Sequence, residues 1–175
     1  MPADRLMLVD GNALIHRAFH AVGPLTTSTG ELVNATFGFT SMLLKGIQDV
    51  QPTFAAVAFD MAEPTFRHDS FDAYKAQRPS MDPGLASQFD RVRQVVRALN
   101  IPIYETPRFE ADDVLGTIAT QAKHEGIQST IVTSDVDSLQ LVDDAISVLM
   151  TKQGFQETVL FDPAEFRAKY TFDPP

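Results

Sequence analysis

The sequence predicts an α/β domain with a mainly parallel, doubly wound sheet and helices on both faces. Three observations predict it. Short apolar runs recur: Leu6-Met7-Leu8-Val9, Ala55-Ala56-Val57-Ala58-Phe59 and Ile131-Val132-Thr133-Ser134. Runs of this length with β-branched content suit strands covered on both faces. Helical periodicities alternate with them, as a parallel sheet with crossover helices requires. The 175 residues suit one domain of ordinary size with room for a core.

Residues 6–9 make the first strand. Gly11-Asn12 reads as a turn, and 13–21 as a short helix with Leu14, Ile15, Ala18 and Phe19 apolar. Residues 23–30, rich in Thr, Ser, Gly and Pro, read as a loop. A helix covers 36–48 with Phe37, Met42, Leu43, Leu44 and Ile47 inward, and the second strand follows at 55–59. The stretch 61–83 has no clear period and reads as a long polar connection; such insertions are usually functional or disordered. Leu85, Phe89, Val92, Val96 and Leu99 recur at steps of four and three, an amphipathic helix with Arg91, Arg93 and Arg97 off the stripe. Residues 101–104 form a short strand. Val114, Leu115, Ile118, Ala119 and Ala122 mark the next helix, which stops near Gly126. After the strand at 131–134 come strands at 146–150 and 158–161, and Pro163 opens a last short helix. No internal repeat is present. The ending Asp173-Pro174-Pro175, without a capping element, reads as a point inside a longer protein.

The apolar content of 44% excludes a disordered chain. No run of about 18 apolar residues exists, so no membrane span is expected. Met1-Pro2-Ala3-Asp4-Arg5 lacks the layout of a signal peptide. The absence of cysteine excludes disulfides and thiolate metal sites and fits a reducing cytoplasm. The net charge of −9 taken alone argues against a nucleic-acid partner. It loses that force if the acids form a site. Setting aside Asp10, Asp60, Glu110, Asp112, Asp113, Asp135 and Asp137 leaves 16 acidic residues against 14 basic ones.

Those seven acids are the candidate site. In open α/β sheets, ligands gather beyond the carboxyl ends of the strands. Asp10, Asp60 and Asp135 each end an apolar run, with Asp137 two places on, and Glu110-Ala111-Asp112-Asp113 stands at a helix start. Crowded carboxylates resist joint ionisation. Hard divalent cations such as Mg2+ or Mn2+ relieve that repulsion through oxygen ligands. Each acid also has a bland explanation. Asp10 suits a turn; Glu110, Asp112 and Asp113 suit a helix N-terminus; Asp135 and Asp137 suit a cap and a first turn. Their joint placement at strand ends favours the metal reading. At about 100° per residue, Glu110 and Asp113 share a helix face and Asp112 points away. All three reach one site only if Glu110 precedes the first helical turn, which Pro107 upstream favours.

Between Phe66 and Arg78 lie Arg67, Lys75 and Arg78 with two aromatics and Tyr74. Aromatics beside cations suit single-stranded nucleic acid. A solvated loop is the alternative, and composition alone leans to it. His16, His20, His68 and His124 lack metal-ligand spacing.

Six segments in this order carry a family resemblance: Leu8-Val9-Asp10-Gly11-Asn12, Phe59-Asp60, Thr65-Phe66-Arg67-His68, Tyr74-Lys75-Ala76-Gln77-Arg78, Glu110-Ala111-Asp112-Asp113 and Thr133-Ser134-Asp135-Val136-Asp137-Ser138-Leu139-Gln140-Leu141. Together they resemble the N-terminal 5′-nuclease domain of bacterial DNA polymerase I, of the flap endonuclease group related to PIN-like nucleases. The match runs from Leu6 to about Tyr170. The resemblance implies a two-metal 5′→3′ exonuclease and flap endonuclease of replication and repair. It implies Asp10, Asp60, Glu110, Asp112, Asp113, Asp135 and Asp137 as metal-site acids and Mg2+ or Mn2+ as cofactor. It places Lys75 and Arg78 at the base of a helical arch at about 61–83, facing the scissile phosphate. Phe66, Arg67 and Tyr74 would meet the nucleic acid. The implied partners are DNA with 5′ flaps or nicks, RNA–DNA primers and a C-terminal polymerase domain in the full-length protein.

The chain departs from the family by ending before its Gly-Asp-x-Ser-Asp-Asn segment and its helix-hairpin-helix, so a second metal site is expected to be incomplete. Three other readings stand beside this one. A PIN-like ribonuclease would be told apart by matched RNA and DNA flaps, since the 2′-OH is the handle for that choice. A phosphatase with Asp10 as nucleophile is disfavoured by Asn12, which stands where a second Asp is wanted. A non-catalytic flap-binding module is the third. Residues 1–175 alone are expected to cleave a labelled 5′-flap substrate slowly or undetectably with Mg2+ or Mn2+. Extension through the helix-hairpin-helix is expected to raise the rate by orders of magnitude, because positioning contributes much of such catalysis. Equal rates in the two forms would overturn that expectation.

Overall fold

Six strands, β1 (Arg5–Asp10), β2 (Phe54–Ala58), β3 (Ile103–Tyr104), β4 (Gln128–Thr133), β5 (Ile146–Thr151) and β6 (Thr158–Phe161), form one sheet in the order β3-β2-β1-β4-β5-β6. The structure is a computed structural model that describes residues 4–71, 73–75, 77, 80–151 and 157–174. The first five strands run parallel, and β6 pairs antiparallel with β5. The helices are α1 (Gly11–Ala21), α2 (Asn34–Val50), α3 (Phe66–Ser70), α4 (Pro83–Ala86), α5 (Phe89–Ala98), α6 (Ala111–His124) and α7 (Pro163–Tyr170), with a 3-10 helix over Val136–Leu141.

Strand side chains alternate between two cores. Met7, Val9, Val57 and Val132 pack with Leu14, Ile15, Phe39, Leu43, Val92 and Val96 from α1, α2 and α5. Leu8, Ala56, Ala58, Ile131 and Val148 pack with Leu115 and Ala119 of α6 and Phe166 of α7. Covered on both faces, the strands need no polar alternation, which is why they read as continuous apolar runs. Each fully buried Val, Leu or Ile stabilises the fold by roughly 1.5–3 kcal/mol. The chain winds from β1 through β2 to β3, then crosses back to β4 on the other side of β1. The switch point therefore lies at the carboxyl ends of β1 and β4, where such sheets bind ligands.

Several expectations change. Helix α1 starts at Gly11 with no preceding turn, because the Asp10 side chain caps it by accepting the Ala13 N–H. The single helix read through 85–99 is two, α4 and α5. At the break, Gln88 is buried, and its amide donates to Asn34 Oδ1 and Gly84 O and accepts the Thr36 N–H. The stretch 61–83 is not without structure: α3 lies in it, closed by a capping box between Thr65 and His68. The 36–48 helix spans Asn34–Val50, and Asn34 Nδ2 ties it to Phe19 O and Val22 O at the end of α1. The last strand reverses direction, which its short apolar pattern does not encode.

Only glycine fits at the entry to α1. A Cβ on Gly11 would lie 2.2 Å from Phe59 Cε1 and 2.8 Å from Ala58 O. Gly11→Ala is expected to destabilise the domain by about 1–3 kcal/mol, measured by urea unfolding. An unchanged midpoint would mean that Phe59 moves aside without cost.

Candidate metal centre

Three acids stand at strand ends, and each faces the start of a helix. Asp10, 4% exposed, closes β1; its Oδ1 accepts the Ala13 N–H at 2.8 Å and its Oδ2 accepts the Thr133 hydroxyl at 3.0 Å. Thr133 closes β4, fully buried, and its Oγ1 also accepts the Asp135 N–H at 3.0 Å. Asp60 follows β2. Its Oδ1 accepts the N–H of Ala111, the first residue of α6, at 2.7 Å, and its Oδ2 accepts Asn12 Nδ2 at 3.1 Å. Asn12 Oδ1 returns the bond by accepting the Asp60 N–H at 3.1 Å. Asp135 caps the 3-10 helix by accepting the Asp137 N–H at 3.0 Å. The partial positive charge of each helix start faces a carboxylate.

Glu110 is the N-cap of α6, in extended conformation at φ −88° and ψ 161°, so it precedes the first helical turn. The acids around it divide. Asp112 turns toward the strand ends, where its carboxyl is repelled by Asp135, Asp60 and Glu110. Asp113 turns to α3. It forms a bidentate pair with Arg67, both bonds 2.7 Å, and accepts the Glu110 N–H at 3.0 Å. Glu110 Oε1 accepts Lys75 Nζ at 2.5 Å and Oε2 accepts the Tyr74 hydroxyl at 2.9 Å, with Arg67 Nη1 3.7 Å from Oε2. Asp137 is exposed. Arg78 lies outside the described residues.

Electrostatics follow this division. Burial pushes the Asp10 carboxyl up to about 7, the Ala13 N–H and Thr133 hydroxyl pull against it, and Asp112 and Asp60 push with it. Asp112 rises to about 6, first through lost hydration and then through repulsion from Asp135, Asp60 and Glu110. Because Asp112 is exposed, water screens that repulsion and little stability rides on it. Asp113 is held low by its Arg67 hydrogen bonds. At Glu110, burial pushes upward, but Lys75, Tyr74 and Arg67 together hold the carboxyl below its ordinary value. Asp10 and Asp112 are thus under-compensated, and Glu110 and Asp113 compensated. Among the described residues, no three His, Cys, Asp or Glu side chains are already arranged to hold an ion. The donors are all oxygen, the chemistry that suits Mg2+ or Mn2+.

Residues 5–171 match the family model of the 5′-3′ exonuclease N-terminal resolvase-like domain. The chain belongs to this family. It is 43% identical over 171 residues to DNA polymerase I of Mycobacterium tuberculosis, covering 97% of this chain and 19% of that protein. It is 39% identical over 170 residues to DNA polymerase I of Bacillus caldotenax, with the same coverages of 97% and 19%. The domain thus spans about a fifth of the length of these relatives. A bacteriophage T5 protein co-crystallised with metal ions has the same fold, with a TM-score of 0.71 at 18% identity over 97% of this chain and 62% of that one. A T5 flap endonuclease in complex with DNA and metal ions gives a TM-score of 0.66 at 19% identity, with the same coverages of 97% and 62%.

Sequence reasoning missed Asn12 and Thr133. Both are polar residues within two positions of a strand-end acid, the one signal available for them. His68 accepts the Thr65 N–H through Nδ1, while His16 and His20 lie edge-on to Phe89 and Phe19.

The Asp10 carboxyl has a folded pKa of about 7 against an ordinary 3.8. The native state therefore holds a proton that the unfolded chain has lost, and stability falls as pH rises between these values. The loss without divalent ions is on the order of 4 kcal/mol, at 1.36 kcal/mol per unit. Urea unfolding from pH 4 to 8 is expected to show this decline in the wild type and a much flatter profile in Asp10→Asn. Equal slopes would assign the decline to other acids.

Proposed function

We propose that this domain is a divalent-metal-dependent 5′ nuclease that hydrolyses DNA phosphodiesters at 5′ flaps and nicks, including RNA primers on DNA. It would act in the cytoplasm within a longer protein like the DNA polymerase I relatives. One observation carries the reading. Asp10, Asp60, Asp112 and Asp135 come together from four segments at the switch point of the sheet, and burial of Asp10, partial loss of hydration at Asp112 and repulsion among the acids leave Asp10 and Asp112 hard to ionise. A cation of hard character resolves that conflict. These four acids would hold Mg2+ or Mn2+, with Asp137 and Glu110 as further ligands, while Asp113, both of whose oxygens accept from Arg67, would keep α3 docked beside the site. When bound, such ions activate water and neutralise charge on the phosphodiester.

The chain's own residues supply the rest. Asn12 and Thr133 hold Asp60 and Asp10 in place before any ion arrives. Lys75, with Arg78, would meet the scissile phosphate and balance charge that builds on it. Phe66 leans on Phe109 at 5.6 Å between ring centroids and lies 4.7 Å beneath the Arg67 guanidinium. Both rings are partly exposed, a surface on which unpaired bases can stack. Tyr74 stands edge-on to His68 at 5.2 Å.

Mn2+ or Mg2+ is expected to raise the melting temperature with increasing concentration, by the equivalent of about 2.7 kcal/mol at one hundred times the dissociation constant. Asp112→Asn and Asp135→Asn should weaken that rise, leave the metal-free fold as stable or more so, and cut flap cleavage by about 100-fold or more in the extended protein. A melting point unmoved by metal would sink the nuclease reading, and full cleavage in either variant would remove that acid from the metal site.

A further inference from the structure

Both oxygens of Glu110 are taken. Lys75 Nζ lies 2.5 Å from Oε1 and the Tyr74 hydroxyl 2.9 Å from Oε2, while the side chain also caps the first turn of α6. Glu110 is nonetheless close enough to Asp112 to repel it. An ion drawn to the under-compensated acids would meet an ammonium group already seated on the adjacent carboxylate. Two cations sharing one carboxylate oxygen repel strongly at such range. The lysine's seat also carries backbone strain. Lys75 sits at φ 53°, in the left-handed region that disfavours side chains with a Cβ. Strain of this kind is relieved when the contact that enforces it is given up.

We propose that Lys75 and Tyr74 hold Glu110 in place of a metal ion and are displaced from it when the ion binds. Metal affinity and the seating of residues 74–75 are then linked, and the linkage is reciprocal. The ion gains a carboxylate ligand by releasing a cation, and the released lysine becomes available to a phosphate. The proposal rests on Glu110 belonging to the metal site of the nuclease reading. Arg67 is the fixed point of the arrangement. Its bidentate pair with Asp113 keeps α3 docked on α6 while Tyr74 and Lys75 change partners.

The test uses 3-fluorotyrosine labelling, since the chain has three tyrosines, Tyr74, Tyr104 and Tyr170. Tyr74→Phe assigns the fluorine signal. On titration with Mg2+, the Tyr74 resonance is expected to move along the same isotherm as the melting temperature, and the other two to stay. Calorimetric Mg2+ affinity is expected to tighten about threefold in Tyr74→Phe, which leaves the charge unchanged, and about fivefold in Lys75→Met. A Tyr74 signal that stays put while Mg2+ stabilises the fold overturns this exchange and leaves the nuclease reading standing. Unchanged or weaker Mg2+ affinity in Tyr74→Phe does the same. No stabilisation by Mg2+ at all overturns both.

Discussion

Parallel strands end at one edge of a sheet, and everything placed at their ends must share that edge. Here the shared edge collects carboxylates, and the same topology supplies part of their compensation. A helix that follows a strand begins where the strand stops, so its free N–H groups point at the acids. Asp10 meets Ala13, Asp60 meets Ala111 and Asp135 meets Asp137 in this way. Each helix start is worth about 0.3–1 kcal/mol to a nearby anion. That falls short of the burial and repulsion that lift Asp10 to about 7. The deficit leaves Asp10 under-compensated at this edge.

The first turn of α6 divides the acids into two kinds. Asp112 and Asp113 are neighbours in sequence but about 100° apart around the helix. One joins the strand-end group; the other pairs with Arg67. Glu110, in the cap position, belongs to both. Its carboxylate repels Asp112 and is held by Lys75, Tyr74 and Arg67. The segment after β2 is thereby tethered to the site through side chains, with α3 as its docked piece.

The sheet and its acids were legible because doubly buried strands need no polar alternation, so an acid at the end of an apolar run stands out. The cap position of Glu110 followed from helix geometry and Pro107. What stayed hidden depends on distant partners. Nothing local marks Asn12 as the ligand of Asp60, 48 residues away, or Arg67 as the partner of Asp113, 46 residues away. Gln88 lies beside an apolar stripe that continues past it, so the break between α4 and α5 has no signature in periodicity. Four residues of β6 carry no direction, so its antiparallel pairing with β5 has no signature in the strand itself. Lys75 was legible as a cation near the site, but its seat on Glu110 was not.

The Thr133 hydroxyl reaches Asp10 across 123 residues of sequence, and it can do so only after β4 has paired with β1. Parallel pairing between such remote segments forms late, because a long loop must close before any contact repays it. While the chain is being made, its first half therefore carries Asp10 and Asp60 without the residues that complete the acid group. The order of synthesis thus sets when the acid group is complete. A growing polypeptide presents no assembled site until most of its domain has left the ribosome and folded as a unit.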